Sequence, residues 1–358
     1  MTSHGIILIL AALALFAIHI FRPLGLRREQ TYIAISGAVA GFTVVVVVTS
    51  LVVWNFDLVR GTEIDADLAR FAADPADTRR EILIIGSSHT YDAIDDQRLE
   101  AALARAGFPY AVRALTAGGF YAFEHDVILD EYLRETDRVP IAVMLEVATE
   151  YKIAIDPNKE NKAAGIRYID VSRAKLGINH VLSADWPLGV KVSSIWTYAR
   201  HAVIRTLNTG LAGQAVVRGR VLPENGFAGI DRPHPAFSPE YAESVSQGDV
   251  FAIAKITKIP DATIKWRTQQ SIKLPRAGVP HAIFFTPPIL NINRRAFQKA
   301  VCQRTPDINC IDSTGDDLMK ELTYEHWHDD GHVLRSGAWI YTDWLANQLI
   351  QRLGQAVR

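Results

Sequence analysis

Two long runs of apolar residues stand at the start of the chain. Residues 5–21 and 32–54 contain no Asp, Glu, Lys or Arg. A helix needs about 20 such residues to cross the hydrocarbon core of a bilayer, so the second run meets that length and the first lies near its lower limit. Residues 1–4 also lack the basic residues that precede the apolar core of a cleaved signal peptide. The pattern predicts a membrane anchor of two transmembrane helices within residues 1–54.

The short loop between the two runs predicts how the anchor lies in the membrane. Residues 22–30 carry Arg22, Arg27 and Arg28, and basic residues in short loops stay on the cytoplasmic side. Both ends of the helix pair then lie outside the cytoplasm. We therefore expect a protein of the cell (inner) membrane whose residues 55–358 are extracytoplasmic, in the periplasm of a cell that has an outer membrane.

After the anchor, short apolar runs alternate with amphipathic stretches. This alternation predicts βαβ crossovers and a parallel sheet with helices on both faces, an α/β fold. The less regular residues 151–279, with a helical pattern over 194–208, form a long insertion in a single domain of residues 55–358. Strands are predicted at 81–85, 110–115, 141–145, 281–286 and 308–311, and helices at 63–74, 95–106, 123–135, 293–304 and 336–353.

The amino-acid composition excludes some classes of protein but does not indicate a function. Lys and Arg number 38 against 39 Asp and Glu, a net charge of −1, which gives no support to a nucleic-acid binder. The 49% hydrophobic share excludes disorder for the bulk of the chain. The two cysteines, Cys302 and Cys310, allow a disulfide outside the cytoplasm or two free thiols. Both states remain open.

Candidate chemistry gathers where predicted strands end, since ligands bind at the carboxyl ends of the strands in open α/β sheets. Ser88 follows the first strand at the start of a helical turn. It is either a helix cap or a nucleophile whose own N–H serves an oxyanion. His332, ahead of the last helix, would be its base. Asp329, three residues earlier, would fold back and fix the imidazole tautomer.

Other residues near the ends of the predicted strands are weaker candidates for the functional site. Gly118 and Gly119 follow the second strand and form either a tight turn or a second oxyanion donor. His89 would touch substrate or remain a polar turn residue, and Trp327 would stack on a sugar.

A metal site is an alternative reading of the segment before the last helix. His and carboxylate side chains there suit zinc, but their spacing matches no common zinc signature and leaves Ser88 unexplained. We therefore expect neither a metal nor a cofactor. The side chains concerned are His326, His328, Asp329, Asp330 and His332.

Taken in order, the blocks resemble those of the SGNH (GDSL-like) hydrolase superfamily. Gly86-Ser87-Ser88 matches the serine block, Gly119 or Gly118 the oxyanion glycine, and Asp329 to His332 the Asp-x-x-His block. The resemblance implies a flavodoxin-like three-layer sheet and a triad of Ser88, His332 and Asp329. The oxyanion would be held by the N–H groups of Ser88 and Gly119.

The sequence departs from that pattern in two places. Residues 146–150, Glu-Val-Ala-Thr-Glu, lack the family's third-block Asn, and the serine block reads Gly-Ser-Ser rather than Gly-Asp-Ser. Both departures are similar to membrane-anchored members such as the D-alanyl-lipoteichoic acid biosynthesis and alginate O-acetylation proteins. The resemblance implies a membrane-bound O-acyltransferase as partner and a polysaccharide as acceptor.

The sequence therefore predicts a membrane-anchored enzyme that moves an acyl group, expected to be acetyl, through an acyl-serine. It leaves open whether the acceptor is a sugar hydroxyl on a surface or secreted polysaccharide, as in a transferase, or water, as in an esterase. The alternative is a protein without catalysis, which binds a glycan or scaffolds a polysaccharide modification or export complex.

Overall fold

The computed structural model describes residues 63–73, 79–116, 122–147, 171–183, 186–207, 229–247, 261–305 and 309–356, with a few isolated positions besides. The chain divides into two compact units. One comprises Thr62–Glu160, Lys175–Tyr198 and Arg218–Arg358 and holds the whole described sheet. The other comprises Met1–Gly61, Asn161–Ala174 and Ala199–Val217, and its described part is short.

The membrane anchor expected over residues 5–21 and 32–54 lies outside the described residues, apart from Ser36, Gly37 and Gly41. Among the helices that are described, none combines the length and the apolar character needed to span a bilayer.

The described secondary structure consists of parallel strands joined by helices. The strands are β1 (Glu81–Gly86), β2 (Ala111–Thr116), β3 (Ala142–Glu146), β4 (His281–Phe285) and β5 (Asn309–Ile311). The helices are α1 (Glu63–Ala73), α2 (Ser88–Ala93), α3 (Asp96–Arg105), α4 (Ala122–Thr136), α5 (Val171–Ser183), α6 (Leu188–Leu207), α7 (Pro239–Gln247), α8 (Asp261–Arg276), α9 (Ile292–Arg304), α10 (Asp316–Glu321) and α11 (Arg335–Ala356), with a 3₁₀ turn at Tyr324–His326.

The five strands form one all-parallel sheet in the order β2-β1-β3-β4-β5. Ile84 of β1 lies beside Ala114 of β2 and Met144 of β3. Every residue of β1 and β3 is buried, as expected for central strands covered on both faces. The order is that of flavodoxin-like sheets, in which the chain reverses direction between β1 and β3. The predicted α/β class with a parallel sheet is confirmed.

Helices cover both faces of the sheet. On one face α11 packs against α2 and α3, and its residues Ala338, Tyr341, Leu345 and Leu349 are fully buried. Their spacing of three and four residues puts them on one side of the helix. On the opposite face α1 packs on β2, α4 packs on β1, and α8 packs on β4. The core therefore holds the strand ends in fixed positions.

The predicted elements are present, and the structure adds helices that the sequence did not predict, among them α10. The bounds of the five strands and of helices α1, α3, α4, α9 and α11 agree with the predicted bounds to within three residues, whereas α6 begins six residues before the predicted helical pattern. The described parts of 151–279, however, include α5, α6, α7 and α8, where the sequence indicated one helical stretch. Helix α8 was obscured because it is largely polar and contains Pro275 in its last turn.

A disulfide links the two cysteines that the sequence left unassigned. It joins Cys302 in α9 to Cys310 in β5, eight residues apart. The bond ties a helix to the edge strand of the sheet. Of the two states that the sequence left open, the structure therefore has the disulfide.

Reducing this disulfide should lower the stability of the folded chain. Closing a loop of this size in the unfolded state is worth about 2–3 kcal/mol. We expect a thermal unfolding midpoint several degrees lower with reductant present, and the same decrease in a Cys302→Ser/Cys310→Ser variant that no longer responds to reductant. Equal midpoints with and without reductant would show that the bond contributes nothing.

Candidate active site

The candidate site lies at the carboxyl end of β1, beside the carboxyl end of β3. Because β1 and β3 are neighbours where the connections reverse direction, their ends form the crevice in which doubly wound sheets bind ligands. Ser88 begins α2 directly after β1. Glu146 is the last residue of β3. Residues 117–121 and 148–150, which follow β2 and β3, are outside the described part.

Ser88 stands in a short, tightly capped turn. Ser87 has extended backbone and caps α2, its side chain accepting a hydrogen bond from the N–H of His89. Ser88 is therefore the first helical residue, where a helix leaves N–H groups without intrahelical acceptors. Its side chain is half-buried. The turn presents both a hydroxyl and a backbone donor at the strand end.

The loop before α11 carries the two partners that the sequence paired with Ser88. A β-bridge between Trp327 and Val333 closes the loop, and the N–H of His328 donates to the carbonyl of His332 at 2.9 Å. The carbonyl of Asp330 accepts from Leu290 and Asn291, each at 3.1 Å. The loop is thus fixed at its base and at its tip.

Ser88, His332 and Asp329 form a continuous series of hydrogen bonds. Ser88 Oγ lies 3.1 Å from His332 Nε2. His332 Nδ1 lies 2.9 Å and 3.0 Å from the two carboxylate oxygens of Asp329. An ionised carboxylate only accepts hydrogen bonds, so Nδ1 carries the proton and Nε2 is left to accept from Ser88. This is the arrangement of a nucleophile, its base and the group that orients the base.

The Asp329 carboxylate is held ionised. Burial by itself raises the pKa of Asp329, but the hydrogen bond and the charge of His332 outweigh it, together with the backbone N–H groups of Gly331 and His332. The net result is a pKa well below the usual range. Both N–H groups donate to Oδ1 at 2.8 Å. The loop therefore keeps the negative charge that fixes the His332 tautomer.

Glu146 is a residue of this site that sequence reasoning missed. Its side chain is buried, and its carboxylate accepts from the N–H of Ser87, from Ser87 Oγ at 2.8 Å and from Thr90 Oγ1 at 2.6 Å. His89 is also buried, with Nδ1 3.1 Å from Ser87 Oγ and 4.0 Å from Glu146 Oε1. Its ring stacks on that of His332, with centroids 4.8 Å apart and planes 6° from parallel.

Two glycines leave the space that these contacts occupy. A Cβ on Gly86 would lie 2.2 Å from Thr90 Oγ1 and 2.8 Å from Glu146 Oε2. A Cβ on Gly331 would lie 2.9 Å from His89 Nε2. Because Gly86 has no side chain, the Glu146 carboxylate can lie beneath the turn that carries Ser88. Because Gly331 has no side chain, the His89 ring can lie against the loop before His332.

A buried guanidinium stands behind Glu146. Arg267 of α8 donates to the main-chain carbonyl of Glu146 at 3.0 Å and to Gln270 at 3.1 Å. Burial lowers the pKa of Arg267 to about 10, while Asp126 and Glu146 act in the opposite direction. Arg267 thus fixes the end of β3 and carries a charge of opposite sign near the carboxylate.

The remaining predicted residues have different outcomes. Gly118 and Gly119 lie outside the described residues. Trp327 is 1% exposed in the hydrophobic core and its indole N–H donates to the carbonyl of Leu322, so it offers no face to a sugar. His89 is 3% exposed, which places its ring behind His332 rather than against a substrate.

The histidines of the metal alternative point to other partners. His326 Nδ1 lies 2.9 Å from Ser336 Oγ, and His328 Nδ1 lies 2.6 Å from the carbonyl of Arg232. Within the described ranges, no group of three or more His, Cys, Asp or Glu side chains is arranged to hold a metal ion.

No protein-family model and no curated protein sequence matches this chain.

Proposed function

We propose that this protein is a serine-dependent acyltransferase or esterase of the SGNH type, anchored in the membrane by its first 54 residues. It would act on a surface or secreted polysaccharide. The observation that carries the proposal is the hydrogen-bonded series of Ser88, His332 and Asp329 at the crevice of a flavodoxin-type sheet. The Cys302–Cys310 disulfide supports an extracytoplasmic location.

In the first half of the proposed reaction an ester or thioester donor acylates the enzyme. Ser88 Oγ attacks the acyl carbonyl carbon while its proton passes to His332 Nε2. The resulting oxyanion would be held by the N–H of Ser88. The carbon–oxygen or carbon–sulfur bond to the leaving group then breaks. The leaving group takes the proton from His332, and Ser88 remains as an ester.

In the second half the acyl group leaves the enzyme. A sugar hydroxyl gives its proton to His332 Nε2 and attacks the acyl-serine carbonyl. The bond to Ser88 Oγ breaks and the serine recovers its proton. Water in place of the hydroxyl would make the same sequence a hydrolysis. Asp329 stabilises the imidazolium in both halves because its carboxylate stays beside His332 Nδ1 throughout.

The proposal is tested by covalent capture of the nucleophile. We expect the full chain, purified in detergent, to react with a fluorophosphonate probe and with a chromogenic acetyl ester. Peptide mass spectrometry should find both adducts on Ser88 rather than on Ser87. A soluble polysaccharide added with the ester should gain acetyl groups if transfer dominates, whereas free acetate alone indicates hydrolysis.

Two results would count against this function. A wild-type chain that neither reacts with the probe nor turns over the ester has no activated serine, and a glycan-binding or scaffolding role would then remain. Turnover that a chelator abolishes would point instead to a metal.

A further inference from the structure

We propose that Glu146 and His89 are positioning residues for the nucleophile and its base, connected to each other through Ser87. The inference rests on the proposed function and extends it to residues that do not touch substrate. Glu146 would fix the turn that carries Ser88, and His89 would fix the ring of His332. The same carboxylate would thereby set both partners of the reacting hydrogen bond.

Glu146 binds the nucleophile turn on two sides of Ser88. Its described donors are the N–H and hydroxyl of Ser87, one residue before the nucleophile, and the hydroxyl of Thr90, two residues after it. Helix α2 has only six residues, and so short a helix is marginal by itself. A carboxylate that holds both ends of the first turn therefore defines where Ser88 Oγ stands.

The hydrogen bonds also assign the protons. Because an ionised carboxylate can only accept, the hydroxyl of Ser87 donates to Glu146. Ser87 Oγ is then left to accept from His89, so Nδ1 of His89 carries the hydrogen at this 3.1 Å contact. The series Glu146–Ser87–His89 thus runs in one direction and fixes the tautomer of His89, while burial restricts the motion of its ring.

The His332 ring stacks on this buried ring of His89. The hydrogen bonds of Asp329 hold His332 along one edge, at Nδ1. An edge contact leaves the ring free to rock about its own axis. The parallel His89 ring, 4.8 Å away, restricts that motion because the flat faces are in contact. Nε2 of His332 therefore stays directed at Ser88 Oγ.

Burying the Glu146 carboxylate has an unfavourable desolvation free energy. Removing a charge from water is unfavourable unless hydrogen bonds and opposite charge compensate, and an apolar side chain of similar volume is often at least as stable. Arg267 supplies the opposite charge, but the described hydrogen-bond donors to the Glu146 carboxylate all belong to the turn carrying the nucleophile. We therefore assign its role to the site rather than to general stability.

The same sheet offers a matched control. Glu81 is a buried carboxylate at the opposite end of β1, where it accepts from Tyr132 and from Arg138 at 2.8 Å. It resembles Glu146 in burial and hydrogen bonding but lies at the far end of the sheet from Ser88. A general effect of neutralising a buried carboxylate should appear in both Glu81→Gln and Glu146→Gln, whereas a positioning effect should appear only in the second.

The first experiment measures kcat, KM and thermal unfolding for both variants of the full chain. We expect Glu146→Gln to lower kcat about 10- to 100-fold, the loss typical of a misplaced or unsupported catalytic group, with KM little changed. Glu81→Gln should lower the unfolding midpoint and keep the wild-type kcat. Ser87→Ala, which removes the link between Glu146 and His89, should lower kcat in the same way and serves if Glu146→Gln does not fold.

The second experiment separates the two contacts of His89. His89→Phe keeps a flat ring against His332 and loses the hydrogen bond to Ser87. His89→Asn keeps a donor near Ser87 and loses the ring. We expect each variant to react more slowly with the fluorophosphonate probe at Ser88, and His89→Ala to react more slowly than either. A purely structural role would change the unfolding midpoint without ordering the rates in this way.

The outcomes distinguish this inference from the proposed function. A wild-type chain that the probe does not label at Ser88 overturns both. Wild-type labelling at Ser88 with an unchanged kcat in Glu146→Gln and Ser87→Ala overturns the positioning role alone. Equal losses of kcat in Glu146→Gln and Glu81→Gln also overturn it, because the effect would then belong to any buried carboxylate of the sheet.

Discussion

Replacing Ser88 with alanine should lower kcat for a chromogenic acetyl ester by about 10⁴-fold or more, the loss that follows removal of a nucleophile from such a triad. The Oγ that lies 3.1 Å from His332 Nε2 is the group that would form the acyl-enzyme. Ser87, the adjacent serine, is a poor replacement because its hydroxyl is held by Glu146 at 2.8 Å. Initial rates at saturating ester give the kcat ratio, and mass spectrometry should show no acyl adduct on the variant.

Two further variants make that result specific. Ser244→Ala removes a hydroxyl from exposed α7, where it bonds its own helix at Tyr241, and should leave kcat unchanged. Ser88→Cys keeps a nucleophile at the same position and should accumulate a thioester. If Ser88→Ala retains more than about a tenth of the wild-type kcat, which is a far smaller loss than a triad nucleophile shows, Ser88 is not the nucleophile.

The sheet was predictable because its signal is local. A strand buried on both faces appears as an apolar run bounded by turn residues, and residues 81–85 and 141–145 have that form. Strand order is a different matter. Nothing within β3 indicates that it pairs with β1 rather than with β2, and the order β2-β1-β3-β4-β5 depends on contacts between distant segments.

In the candidate site too, the local contacts could be predicted from the sequence and the contacts between distant segments could not. Asp329 and His332 are three residues apart in one loop, so their pairing could be predicted from the local sequence alone. The role of Ser88 could be expected from its place after a strand. The role of Glu146 could not be expected, because the sequence at the end of β3 showed only that the family's Asn is missing there. Its partners Ser87 and Thr90 are 59 and 56 residues away.

Trp327 shows how neighbours in sequence mislead. It lies next to His326 and His328, and from that position it was expected to stack on a sugar. In a bridged segment successive side chains point to opposite sides, and the Trp327 ring is directed into the core. Its contribution is to anchor the loop that presents Asp329 and His332.

Substituting Asp329 with asparagine should lower kcat by about 10⁴-fold, as expected when the orienting carboxylate of a triad becomes an amide. The Asn oxygen can still accept from the N–H groups of Gly331 and His332, so the loop can keep its shape. The amide NH₂, however, donates toward His332 Nδ1. The imidazole then carries its hydrogen on Nε2, and it cannot take the proton of Ser88. Steady-state kinetics with the acetyl ester measures the loss.

The neighbouring carboxylate provides the control. Asp330 accepts from Asn291 Nδ2 at 3.0 Å and lies 3.8 Å from Arg294, so Asp330→Asn changes the same loop without changing a contact of His332. We expect its kcat to stay near that of the wild type. A large loss in Asp330→Asn with little loss in Asp329→Asn would mean that the orienting residue had been assigned wrongly.

Replacing Asp329 with asparagine should also change how the stability of the fold depends on pH. The pKa of Asp329 is lower in the folded chain than the usual value near 4. Protons therefore bind the unfolded chain more readily, and the ionised carboxylate stabilises the fold at neutral pH. This contribution is present above pH about 4 and is lost as the pH falls toward the folded-state value. The difference in free energy of unfolding between the wild type and Asp329→Asn, measured in urea, should therefore shrink from pH 7 toward pH 3. A difference that stays constant over that range would contradict the lowered pKa of the Asp329 carboxyl in the folded chain.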